Sequence, residues 1–128
     1  MKIFKIKTVV VTFLFVFSLV ACTKSSDKIK RISSTELQSK VGQQIQLIDV
    51  RTPEEFLENN IEGSQNIDIS SKDFEQKAAQ LDQNKPIYVY CRKGSRSRKA
   101  SQKLEDLGFT EIYDLKGGIL EWNKNINN

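Results

Sequence analysis

Residues 85–98 constrain this chain more than any other stretch. Lys85-Pro86-Ile87-Tyr88-Val89-Tyr90 reads as a short apolar strand. Cys91-Arg92-Lys93-Gly94-Ser95-Arg96-Ser97-Arg98 reads as a small basic loop running into a helix. The cysteine stands where strand becomes loop. A thiol there lies at the mouth of a helix N-terminus, where unpaired backbone N–H groups favour negative charge. Arg92, Lys93 and Arg96 add positive charge nearby, and together these effects favour a thiolate, the nucleophilic form. The stretch therefore reads as a cysteine active site rather than a core cysteine.

Strand and helix patterns alternate on either side of it. Strands are expected at residues 44–51 and 109–115, and helices from Ser33 to about Lys40, after Thr52, at 71–81 and at 97–107. Ser33 with Glu36 fits a capping box, and Thr52, Pro53 and Glu55 make a strong helix start. Ala100, Leu104 and Leu107 recur at helical spacing, with Gly108 as a C-terminal cap. Alternation of this kind predicts an α/β fold with a central parallel sheet flanked by helices on both faces. In such sheets ligands bind at the carboxyl ends of the strands, which is where Cys91 falls.

The chain has room for one domain. Its 128 residues carry 20 basic and 16 acidic side chains, a formal charge of +4. Lys2, Lys5 and Lys7 belong to a segment expected to be removed, which leaves 17 basic against 16 acidic. That balance gives no reason to expect nucleic-acid binding. The absence of histidine excludes a histidine general base and most zinc sites.

Residues 1–21 read as an export signal. Three lysines precede an apolar run at 8–20 that is shorter than the ~20 residues of a membrane-spanning helix. Leu19-Val20-Ala21-Cys22 resembles the bacterial lipobox, whose cysteine is lipidated and begins the mature chain. An ordinary secretory signal or a retained anchor helix are the alternatives. Residues 22–31 are polar and read as a flexible tether. The folded domain is expected over 32–124, followed by a frayed tail at 125–128. The expected location is a bacterial membrane surface outside the cytoplasm, held by lipid on Cys22.

The loop from Cys91 to Ser97 resembles the active-site loop of the rhodanese family, the sulfurtransferases. The resemblance extends over residues 32–122. Asp49-Val50-Arg51 followed by Glu54-Glu55-Phe56 is similar to a rhodanese hallmark. Asn60-Ile61-Glu62-Gly63-Ser64 is similar to a segment usually written His-Ile-Pro-Gly-Ala, departing from it at Asn60 and Glu62. Gly117-Gly118 with an apolar helix and Trp122 resembles the final element, where Trp122 reads as core packing.

The resemblance implies that Cys91 is nucleophile and sulfur carrier. The backbone of Arg92, Lys93, Gly94, Ser95, Arg96 and Ser97 would cradle a persulfide, with Gly94 allowing the tight curvature. Arg92, Lys93 and Arg96 would tune the thiolate and orient the donor. Asp49 and Arg51 either shape the mouth of the site or form a structural network in which Arg51 pairs with Glu55; the second reading is preferred. Expected partners are a small anionic sulfur donor, thiosulfate or similar, and a thiol or cyanide-like acceptor. No metal or organic cofactor is implied, and a monomer is expected. Two alternatives stand beside this. A lipid-anchored sulfur-relay or redox-sensing module would use the same cysteine. A cysteine phosphatase or arsenate reductase would need five residues between cysteine and arginine, whereas Cys91 and Arg96 have four between them.

Overall fold

A computed structural model describes residues 26–128. Cys22 and the segment expected to be an export signal lie outside the described residues. Five strands, β1 (Ile29–Ile32), β2 (Gln46–Asp49), β3 (Gln65–Asn66), β4 (Ile87–Tyr90) and β5 (Ile112–Leu115), alternate with five helices. These are α1 (Ser34–Gln38), α2 (Pro53–Glu58), α3 (Phe74–Ala78), α4 (Ser95–Asp106) and α5 (Gly118–Ile126). All strand pairings are parallel, in the order β1-β5-β4-β2-β3.

The central strand β4 is buried along its whole length, as expected of a parallel strand covered on both faces. Successive side chains point to opposite sides of the sheet. Ile87, Val89 and Cys91 thus enter one apolar cluster with Phe74 and Ala78 of α3 and Ala100 and Leu104 of α4. Tyr88 and Tyr90 enter the other, with Leu37 of α1 and Ile119 and Trp122 of α5. Cys91 therefore ends the central strand on the α4 face.

The helix starts follow their local sequence. Ser33 and Glu36 form a reciprocal capping box on α1, and the Thr52 hydroxyl accepts from Glu55 N–H on α2, with Pro53 in the first turn. Three boundaries differ from expectation. The tether over 22–31 loses its last three residues to β1, where Ile29, Lys30 and Arg31 pair with Ile112, Tyr113 and Asp114 of β5. Lys30 and Arg31 are exposed on this edge strand, so the segment looks solvated in sequence although its backbone completes the sheet. Helix α5 continues to Ile126, inside the expected tail. The helix expected over 71–81 is regular only over Phe74–Ala78, flanked by turns.

Candidate active site

The carboxyl ends of β2, β4 and β5 present Asp49, Cys91 and Asp114 at one end of the sheet. Cys91 is a free thiol with only 1% of its surface exposed. The backbone N–H of Gly94 donates to its Sγ at 3.1 Å, and Ser97 Oγ lies 3.5 Å from the same sulfur. Gly94 is the N-cap of α4, with φ of +121°, and α4 has no side-chain cap. Its first-turn N–H groups are therefore open to an anion held at the sulfur. Arg92, Lys93 and Ser95 are exposed around the loop, whereas Gly94 and Ser97 are buried.

Arg96 does not point freely at the site. Its guanidinium makes a two-pronged pair with Glu55 of α2, Nη1 to Oε1 at 2.8 Å and Nη2 to Oε2 at 2.9 Å. This pairing ties the cysteine loop to α2 and keeps a positive charge beside Cys91. The Arg96 hydrogen bonds hold the Glu55 carboxyl below its ordinary range.

The expected pairing of Arg51 with Glu55 is corrected by this geometry. Arg51 pairs instead with Asp49, Nη2 to Oδ2 at 2.6 Å and Nε to both carboxylate oxygens at 3.0 Å. Asp49 is wholly buried and Arg51 is 3% exposed. Arg51 Nη2 also donates to the Asn59 carbonyl at 2.7 Å, and its guanidinium lies over the Tyr90 ring. Burial opposes the Arg51 charge, but the Asp49 carboxylate holds it above its ordinary range. The pair anchors the segment between β2 and α2. Arg51→Ala would leave a buried carboxylate without its partner, at a cost of about 3–5 kcal/mol. Urea unfolding checks this; a loss below about 1 kcal/mol would mean that the pair does not anchor the fold.

The two departures from the family's usual segment lie at the surface. Asn60 and Glu62 are exposed, and Asn60 Nδ2 donates to the Phe56 carbonyl at 3.0 Å, closing the end of α2. Ile61 N–H donates to the Tyr90 hydroxyl at 3.1 Å.

Two contributors to the site escape sequence reading. Asp114, 2% exposed, accepts a 2.5 Å hydrogen bond from Ser97 Oγ. The second is the start of α5: Ile119 N–H donates to the Cys91 carbonyl at 2.9 Å and Leu120 N–H to the Arg92 carbonyl at 3.3 Å. Asp114 had a weak signal, an acidic residue at an inward position of an apolar strand. The α5 contact had none beyond the Gly117-Gly118 pair.

The family model for the rhodanese-like domain matches residues 33–125. The chain belongs to the rhodanese-like family. It is 36% identical over 93 residues to the thiosulfate sulfurtransferase GlpE of Pseudomonas fluorescens, covering 73% of this chain and 84% of that one. It is 43% identical over 89 residues to the YqhL protein of Bacillus subtilis, covering 69% of each. Among solved structures, a rhodanese-related protein of Thermoplasma volcanium superposes with a TM-score of 0.67 at 32% identity, covering 75% of this chain and 92% of that one. This rhodanese domain thus has the five-stranded parallel α/β fold of its structural relatives and belongs to a family of sulfurtransferases.

Proposed function

We propose that this rhodanese domain transfers sulfane sulfur from a small anionic donor such as thiosulfate, through a persulfide on Cys91, to a thiophilic acceptor. The observation that carries the reading is the seat of Cys91 Sγ. It accepts the Gly94 N–H at 3.1 Å at the start of a helix without a side-chain cap. A sulfur anion attached there meets first-turn N–H groups in a largely water-free setting, where such bonds are strong. The name of the GlpE relative supports thiosulfate as donor.

The Cys91 thiolate attacks the outer sulfur of thiosulfate. A sulfur–sulfur bond forms to Cys91 while the donor's own sulfur–sulfur bond breaks, and sulfite leaves with that electron pair. The acceptor then attacks the outer sulfur of the persulfide, and the thiolate departs. Exposed Arg92 and Lys93 draw the dianionic donor and the departing sulfite to the mouth.

The test is to incubate the full chain with thiosulfate, trap any persulfide by alkylation, and map it by peptide mass. One added sulfur, about 32 Da, is expected on Cys91, and cyanide should remove it. No added sulfur with thiosulfate would remove the donor assignment. Loading only from a persulfidated protein would favour the relay module.

A further inference from the structure

Cys91, Ser97 and Asp114 form a continuous buried chain whose far end the transfer chemistry above does not use. Their exposures are 1%, 0% and 2%. Sulfur and hydroxyl are 3.5 Å apart, and hydroxyl and carboxylate 2.5 Å. A serine hydroxyl has one hydrogen and two lone pairs. The Gly94 carbonyl, 3.2 Å away, also competes for that hydrogen. The shorter contact to Asp114 has the length of a charge-assisted bond, so the hydrogen goes there. A Ser97 lone pair is then left facing the thiol.

We propose that Asp114, acting through Ser97, is the positioning residue that takes up the Cys91 proton when the thiolate forms and returns it when sulfur has been passed on. The inference rests on the sulfurtransferase reading for its purpose, although its geometry stands alone. In the resting order, Cys91 S–H donates to Ser97 Oγ and Ser97 O–H donates to Asp114 Oδ1. In the active order both bonds reverse. The S–H bond breaks and a new O–H bond forms at Ser97. The original Ser97 hydrogen passes to Asp114, and the Ser97 hydroxyl now donates to the thiolate. One proton moves across the unit, and the unit's charge is unchanged. The Gly94 N–H serves the sulfur in both orders.

Burial raises the Asp114 carboxyl above its ordinary range, against the Ser97 hydrogen bond and the charges of Arg31 on β1 and Arg98 on α4. That direction makes Asp114 a better proton holder than an exposed carboxylate. On its outer side Asp114 borders an open cavity of about 500 Å³, which Arg31, Arg98, Glu105 and Asp106 also line. Arg96 is the charged side chain beside the sulfur itself.

The test is the pH dependence of iodoacetamide alkylation at Cys91 in the full chain, mapped by peptide mass so that Cys22 does not interfere. An unassisted thiol loses reactivity about tenfold per pH unit below its pKa. In the relay the thiol proton passes to Asp114 rather than to solvent, so the wild-type rate should change less than about threefold between about pH 8.5 and about pH 6. Asp114→Asn keeps the shape but takes up no proton. Its rate relative to wild type should fall at least about tenfold between the same limits. Ser97→Ala should behave alike, and Ser97→Thr, which keeps the hydroxyl, should restore the flat profile. A constant ratio of variant to wild type across pH would overturn the relay and leave Asp114 a structural residue. A steep wild-type profile would overturn it without any variant. Thiosulfate loading, measured in parallel, separates the two readings: a flat alkylation profile without loading keeps the relay and removes the thiosulfate reading.

Discussion

Cys91→Ser should take up no sulfur from thiosulfate and should lose transfer by at least about 10³-fold. A hydroxyl at this position is neither ionised at neutral pH nor thiophilic. The Gly94 N–H and the open turn of α4 therefore have no sulfur anion to stabilise. The substitution is close to isosteric, and the wild-type sulfur already has a hydrogen-bonding neighbour in Ser97 and a donor in Gly94 N–H. Stability should consequently change by less than about 1 kcal/mol, which separates loss of chemistry from loss of fold. Persulfide trapping and thermal unfolding on the same sample check both halves. Cys22→Ser is the matched control and should load as wild type does. Sulfur found on Cys91→Ser would place the carrier elsewhere and end the assignment of the loop.

The parts of this site that were legible in sequence are those fixed by neighbours in the chain. The capping box of Ser33 and Glu36, the Thr52-Pro53-Glu55 helix start and the cysteine at the end of an apolar strand are all contained within a few residues. The alternation of strands and helices was enough to predict a parallel sheet, and with it the end of the sheet that holds the site. What could not be read depends on register between distant segments. Glu55 suits Arg51 by spacing, yet it meets Arg96, 41 residues away, because α2 and the cysteine loop are brought together over the sheet. Asp114 meets Ser97 because Asp114 lies in register with Val89 on β4, on the same face as Cys91. The edge strand β1 takes its conformation from β5, more than eighty residues later, and its own side chains show little of it. Local sequence marks elements and the candidate nucleophile; the shell around Cys91 is set by topology.

The start of α5 shows how tightly that shell is built, and Gly118→Ala should damage it severely. Gly118 is buried with φ of +59°, and a Cβ built on it would lie 2.3 Å from the Arg92 carbonyl oxygen and 2.5 Å from that of Cys91. Ordinary contact would require a retreat of about 1 Å between two backbone segments, neither of which is a flexible side-chain end. The same segments are joined by the hydrogen bonds from Ile119 and Leu120 to those carbonyls. Separation weakens both bonds, at about 0.5–1.5 kcal/mol each, and the left-handed conformation adds about 1–2 kcal/mol for a non-glycine residue. A total loss of about 3 kcal/mol or more is expected in urea unfolding. Sulfur loading of the folded fraction should fall as well, because the Cys91–Arg92 peptide is the part displaced. Gly63→Ala supplies the comparison: its φ is +82°, but nothing lies within 4 Å of the added methyl. It should lose only the conformational part, about 1–2 kcal/mol, and load sulfur normally. If Gly118→Ala proves no worse than Gly63→Ala in stability and loading, the contact between α5 and the cysteine loop is slack, and the orientation of Cys91 must come from Gly94 and Ser97 alone.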